Sequence, residues 1–350
     1  MMGGLRTVHA WAGAILSLLL IMLGLTGTLL VFEDDWIRLS VPGARAEAVT
    51  DAAQLGAVTE RLEFEHDGLR AVAFAGGTGV HKVYLERHRF AYADRAGATV
   101  VAWTGAARPE AFVFELHHEL MAGETGKYVI GTAALAAILL VLTGLVVWAP
   151  AWRATRARIW PRSTRRGDMV SSHRNLGLFA ALPILVFCVT GAGMVFNDTA
   201  QALLSPGAPP PTEPPRAGTG DIDWPTALVA AQARFPDATL RSVRWPAAPG
   251  KPATVRLRQP QEWHPNGRTY VQIDPATGTV VQVTDAQSLP RGIRLTHAFY
   301  PVHAATIGGW PYKLVSALSG LALVLLGGLG TWSFLFRPRR KRRAARTPVT

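Results

Sequence analysis

Four long apolar runs constrain this chain more than any other feature. They extend roughly from Trp11 to Phe32, Tyr128 to Trp148, Leu176 to Phe196 and Leu314 to Phe336. About 20 helical residues cross a hydrocarbon core of about 30 Å, so each run predicts a transmembrane helix. The first run is longer than the apolar core of a secretory signal and no small-x-small cleavage pattern follows it before Glu33, which predicts a retained helix. Only 17% of the 350 residues are charged, which speaks against an ordinary soluble enzyme.

Charge predicts the orientation of these helices. The 36 Lys and Arg exceed the 24 Asp and Glu by 12, a balance that would suit nucleic acid were the basic clusters not beside the apolar runs. Arg6 precedes the first run, Arg153, Arg156, Arg158, Arg162, Arg165 and Arg166 join the second to the third, and Arg337 to Arg346 follow the fourth. The positive-inside rule makes all of these cytoplasmic, with anionic lipid of the bilayer as their partner and no nucleic acid. Trp11, Trp148, Trp152 and Trp332 then mark one interface, and Trp36 and Trp310 the other. Both termini are therefore expected to be cytoplasmic.

The expected organisation follows from these spans. A cytoplasmic N-terminus and first helix (1–32) lead to an exported segment (33–125), a second helix (126–150), a basic loop (151–172) and a third helix (173–196). A Pro-rich linker (197–220), a second exported segment (221–311), a fourth helix (312–336) and a basic tail (337–350) complete the chain. The single cysteine, Cys188, excludes an internal disulfide, a thiolate iron-sulfur cage and a cysteine zinc site, and the sequence holds no CxxCH haem-attachment motif. It also holds no Rossmann or P-loop glycine signature.

The chain repeats itself. His9-Ala-Trp-Ala-Gly13 opens the first span and His173-Arg-Asn-Leu-Gly177 the third, and each His is followed 17 positions later by Thr-Gly, as Thr26-Gly27 and Thr190-Gly191. Val31-Phe32 and Val195-Phe196 end both spans in register. The other two spans match through His117 and Lys127, His303 and Lys313, with Gly144 and Gly330 17 positions beyond each lysine; the match breaks where Thr143 meets Leu329. Lys127 and Lys313 suit snorkelling to the interface or contact with an anionic group.

The exported segments repeat as well. After Asp223, a helix is expected over Trp224 to Phe235, then strands over Thr239 to Trp245, Ala253 to Gln259, Arg268 to Asp274 and Thr279 to Thr284. The first segment predicts a helix over Ala52 to Leu62 and strands over Leu69 to Phe74, Val80 to Glu86, Arg89 to Ala93 and Thr99 to Trp103. The turns Asp94-Arg-Ala-Gly97 and Asp274-Pro-Ala-Thr-Gly278 occupy equivalent places.

These duplicated His-x-x-x-Gly openings, the Thr-Gly pairs and the alternation of spans with small exported units resemble the PepSY-associated transmembrane helix family over nearly the whole chain. The resemblance implies a membrane α-helical fold with α+β exported domains: four transmembrane helices in a duplicated arrangement and two periplasmic PepSY-like domains, each a helix on an antiparallel sheet. It further implies kinship with iron-regulated inner-membrane proteins and ferric-siderophore reductases that carry haem between helices. Some members add a flavin or nicotinamide reductase domain, which this chain lacks.

Each span has a histidine at or just before its start: His9, His117 with His118, His173, and His303 with His297 further back. The helix macrodipole disfavours an imidazolium there, which points to neutral, hydrogen-bonded or metal-ligating rings. Alternating topology puts His9 with His173 on the cytoplasmic side and His117 with His303 on the exported side. Bundle cores place axial haem ligands on facing helices, so two b-type haems are expected on these pairs, with His118 and His297 as less favoured ligands. A non-haem metal, a single haem or purely structural histidines remain open readings. Gly13, Gly24, Gly27, Gly177, Gly191, Gly193, Gly320 and Gly327 would make room for a macrocycle or let helices approach closely. His66, His81, His88 and His264 read as exposed polar residues.

The expected activity is that of an oxidoreductase: electrons from a cytoplasmic reductase or a quinol reach a ferric siderophore or other ferric chelate on the exported side and release Fe(II). No protein nucleophile or catalytic triad is expected. Asp34, Trp36, Trp310 and Tyr312 are candidates for chelate contact. Two alternatives stand beside this reading, a membrane-anchored PepSY binding or regulatory module and an iron-chelate permease without redox activity.

Overall fold

The computed structural model describes residues 2–210 and 212–336, so the basic tail from Arg337 onward lies outside the described residues. The first half runs α1 (Met2–Leu30), α2 (Glu33–Ser40), α3 (Ala52–Glu65), β1 (Leu69–Ala73), β2 (His81–Leu85), β3 (Arg89–Ala93), β4 (Thr99–Thr104), α4 (Pro109–Glu119) and α5 (Gly123–Trp148). The second half runs α6 (Arg166–Val195), α7 (Asn197–Leu204), α8 (Trp224–Arg234), β5 (Thr239–Arg244), β6 (Ala253–Arg258), β7 (Thr269–Ile273), β8 (Val280–Thr284), α9 (Arg291–His297), α10 (Phe299–His303) and α11 (Gly309–Leu335). The two halves match element for element, except that α9 and α10 together stand where α4 stands alone.

Four helices, α1, α5, α6 and α11, are long and apolar enough to cross a membrane. They contain 26 to 30 residues, or about 39 to 45 Å of axis, about one to two and a half turns more than the apolar runs themselves. The extra turns lie mainly at their starts. α1 packs on α11, α11 on α6, α6 on α5 and α5 on α1, which closes a four-helix ring with α1 diagonally opposite α6. The α1–α11 contact is close because Gly24 and Gly320 meet: a Cβ on either would lie 2.6 Å from the other's carbonyl oxygen. These two glycines serve helix packing.

The two exported segments are joined in one sheet. Its eight strands run in the order β4-β3-β2-β1-β5-β6-β7-β8, with β1 and β5 antiparallel at the centre and Val72 opposite Val243. A four-stranded unit alone leaves β1 or β5 as an open edge, and pairing the two removes both edges. The expected pair of small domains therefore shares a single core. Leu55, Leu62, Val72, Val83, Leu228, Val243, Val255 and Ile273 lie in it with almost no exposure. Each such side chain contributes about 1.5 to 3 kcal/mol on burial.

Helices α3 and α8 cover this core and cross at Gly56, where a Cβ would collide with the Pro225 backbone. Asp51 caps α3 by accepting from the Gln54 N–H, and Asp223 caps α8 through the Thr226 N–H. Glu63 ties the halves together, accepting from Trp224 Nε1 at 3.1 Å and Trp245 Nε1 at 2.6 Å.

Candidate functional site

The four repeat-matched histidines form two pairs inside the bundle. His9 on α1 and His173 on α6 have ring centres 6.3 Å apart, and His117 on α4 and His303 on α10 have ring centres 6.2 Å apart. Each pair takes one ring from each half, so neither exists until the halves assemble. From His9 to Gly27, which touches His117, α1 advances 18 residues, or about 27 Å of axis. The pairs thus occupy opposite ends of the bundle, with His117 and His303 at the sheet end.

Their positions along the helices differ from the expectation. His9 and His173 are each the eighth residue of their helix, past the first turn in which the dipole acts, and His117 and His303 belong to short helices that precede the spans. What the four rings share instead is a hydrogen bond at Nδ1.

Thr26 Oγ1 lies 2.8 Å from His117 Nδ1, and Thr143 Oγ1 lies 3.1 Å from His9 Nδ1. Both hydroxyls already donate to carbonyls of their own helices, Thr26 to Met22 and Thr143 to Leu139, so each accepts from the ring N–H. Thr190 Oγ1 is 3.1 Å from His303 Nδ1, and the Phe187 carbonyl accepts from the same nitrogen at 3.0 Å. His173 Nδ1–H donates to the Leu326 carbonyl at 3.1 Å, because Leu329 replaces the threonine of the other half. All four rings therefore carry their proton on Nδ1 and present a bare Nε2.

A glycine seats each ring. A Cβ at Gly27 would come within 3.1 Å of His117 Cε1, at Gly191 within 3.0 Å of His303 Cε1, at Gly144 within 3.2 Å of His9 Cε1, and at Gly330 within 3.5 Å of His173 Cε1. The glycines repeated in sequence thus divide by role. Gly27 and Gly191 seat histidines, Gly193 seats the Phe299 ring, Gly24, Gly320 and Gly327 bring α1 and α11 together, and Gly177 makes ordinary contact with Leu326. Gly13 borders open space, with nothing within 4 Å of its Cβ position.

Two imidazole nitrogens on one metal ion, each at about 2 Å, put their ring centres roughly 6 Å apart. Both pairs have that spacing, with Nδ1 engaged and Nε2 free, so His9 with His173 and His117 with His303 would each hold one metal centre through Nε2. No cluster of three or more His, Cys, Asp or Glu suited to a bare metal ion occurs among the described residues. Two ligands per centre fit a macrocycle that supplies the remaining four.

Of the less favoured ligands, His118 stays beside the sheet-end pair, its ring centre 5.8 Å from that of His117 and 4.0 Å from that of Phe114, on which it stacks, whereas His297 lines a separate cavity beside the sheet. His81 and His264, expected at the surface, are buried at 0% and 5% exposure. His81 accepts from the Ala75 N–H inside the sheet, and His264 stacks on Tyr300 at 4.8 Å. His81 shares the buried face of β2 with Val83 and Leu85, a period-two signal present in the sequence, whereas His264 lies in a loop that carries no such period. Tyr312 donates its hydroxyl to the Val302 carbonyl, and Trp310 packs near Phe32.

An apolar cleft of about 130 Å³ lies at the other end of the bundle, between Ile159, Trp160, Pro161, Met169, Leu325 and Leu329. It adjoins the turn of α11 whose Leu326 carbonyl and Gly330 hold His173.

The model of the PepSY-associated TM region matches residues 6–337. The chain belongs to that family. As a member of the PepSY-associated TM region family it is a multi-pass membrane protein, and the match spans both halves, including all four paired histidines. No curated protein matches the chain.

Proposed function

We propose that this protein is a dihaem b-type oxidoreductase of the bacterial inner membrane that passes electrons from the cytoplasmic side or the quinol pool to the periplasm, where a ferric siderophore or other ferric chelate is reduced. One observation carries the reading: two histidine pairs at opposite ends of the bundle, with ring centres 6.3 and 6.2 Å apart and every Nδ1 already hydrogen-bonded. When bound, haem supplies reversible one-electron chemistry.

The protein's own residues supply ligands and set their electronic character. Thr26, Thr143 and Thr190, with the Leu326 and Phe187 carbonyls, hold the Nδ1 protons and so raise the donor strength of Nε2. Each of the apolar helices α1, α5, α6 and α11 places one glycine against one of the rings. The basic loop around Arg153 to Arg166 supports a cytoplasmic position for the His9 and His173 end. The apolar cleft beside His173 supports a membrane quinol as donor. Oxidation of one quinol to quinone releases two protons and two electrons, which balance the reduction of two Fe(III) to Fe(II). Fe(II) binds hard oxygen chelators less strongly, so reduction favours release.

The test is an optical spectrum of the detergent-purified protein, oxidised and then dithionite-reduced, with a pyridine haemochrome count. About two b haems per chain are expected; a colourless protein from haem-replete cells would leave the binding-module reading in its place.

A further inference from the structure

A cavity of about 300 Å³ opens beside the second half of the sheet, lined by Trp263, His264, Arg291, Arg294 and His297 among others. Its position is set by α9 and by the loop between β6 and β7. Cations surround it. Arg268 and Arg256 lie close enough to His264 and His297 to repel a proton on either, and together with burial they push His264 down to about 2 and His297 to about 4.

This positive charge is in excess, because Glu262, the carboxylate in the lining that acts on Arg256, offsets only part of it. None of Arg256, Arg268, Arg291 and Arg294 is in an ion pair among the described residues, and Arg268 Nε is buried without a hydrogen-bond partner. Glu262, the carboxylate in the lining, is committed to the backbone N–H of Gln259 and Arg268 and to the Thr269 hydroxyl. His264 Nδ1 accepts from the Asn266 N–H, so its proton sits on Nε2 as a further donor. Unpaired cations beside an open cavity select an anion. Trp263 is 63% exposed at the cavity, an aromatic face without a protein partner.

We propose that this cavity binds an anionic, aromatic oxygen chelate of a trivalent metal, the catecholate kind, in preference to an uncharged or cationic trihydroxamate complex. Arg291 and Arg294 hold the negative oxygens and Trp263 packs on a catechol ring. The site lies next to the sheet-end histidine pair: His264 stacks on Tyr300 with ring planes 19° apart, and Tyr300 precedes His303 by three residues on α10. That step of helix is about 4.5 Å of rise. The proposal rests on the ferric-chelate reading for its meaning, and binding itself requires no electron transfer.

The test uses the full chain in detergent and a redox-inert stand-in for the ferric complex, gallium(III) tris-catecholate, with gallium(III) trihydroxamate as comparison; Trp fluorescence and titration calorimetry report binding. The catecholate complex is expected to bind about tenfold or more tighter than the trihydroxamate, and to weaken as salt rises from 0.05 to 0.5 M. Arg291→Gln with Arg294→Gln lowers affinity about tenfold or more, whereas Arg291→Lys with Arg294→Lys retains part of it. An unchanged thermal unfolding midpoint shows that the Gln variant folds.

Equal binding of the two complexes, or no loss in a folded Gln variant, overturns the proposal. The haem count of the same preparation separates the two readings. Two haems without gallium binding removes only the cavity assignment, and gallium binding by a colourless protein removes only the redox reading.

Discussion

Thr26 Oγ1 accepts a hydrogen bond from His117 Nδ1 at 2.8 Å while donating its own proton to the Met22 carbonyl. The hydroxyl therefore fixes the ring's tautomer as well as its direction. Thr26→Val keeps the shape and removes the acceptor. Outer partners of this kind are worth about 10- to 100-fold in metal affinity. We expect a haem content below two per chain, and a higher midpoint potential for the sheet-end centre that remains, because a weaker donor stabilises the ferric state less. Thr26→Ser restores both. Potentiometric titration reads the shift; Thr190→Val is expected to shift its ring less, since the Phe187 carbonyl still holds His303.

The glycine seats give a graded prediction. Gly27→Leu and Gly191→Leu push directly on His117 and His303, whose Cε1 atoms stand 3.1 and 3.0 Å from the Cβ position. Each is expected to lower the haemochrome count to about one per chain while the protein remains monodisperse. Gly330→Ala, with 3.5 Å of room beside His173, is expected to keep both. A full count in both leucine variants would remove these glycines from the site.

Val243 is wholly buried and faces Val72 across the strand pair that joins the halves. Val243→Asp places an unpaired carboxylate in that core, at a cost on the order of several kcal/mol. The sheet is expected to unfold at lower denaturant, by far-ultraviolet circular dichroism, while the haem spectrum persists, because α1–α11 and α5–α6 contacts join the halves separately. Simultaneous loss of both signals would show that the bundle depends on the sheet.

Burial, reinforced by Arg268 and Arg256, holds His264 and His297 down to about 2 and about 4. Below an unfolded value near 6.5 the unfolded chain takes up protons that the folded sheet does not. Its stability is therefore expected to fall as pH drops from about 6.5 toward 4, and His297→Gln to flatten that slope. Thermal unfolding measured across pH 4 to 7.5 checks the sign.

Much of the fold is legible in the sequence. The strand Arg89 to Ala93 was read with its observed bounds, and the other strands within about two residues, because β-branched alternation and Asp-to-Gly turns are local signals. The short helices α2, α4, α7, α9 and α10 were missed, since five to eleven residues carry too little periodicity beside a 20-residue apolar run. The spacing of 17 between His9 and Thr26 is visible in the sequence as a repeat match, without showing which ring the threonine serves. In the structure Thr26 serves His117, and His9 is served by Thr143 on another helix.

The sequence by itself determined four spans, a duplicated plan and four matched histidines, because hydropathy, charge and spacing act along one stretch of chain. Alternation of the spans also pairs His9 with His173 and His117 with His303, but the tertiary structure sets their ring spacings of 6.3 and 6.2 Å, seats the rings on glycines of neighbouring helices and joins two small sheets into one. Those relations depend on helix crossings and on strand edges finding each other. Such contacts are set by packing between distant segments, which no local pattern encodes.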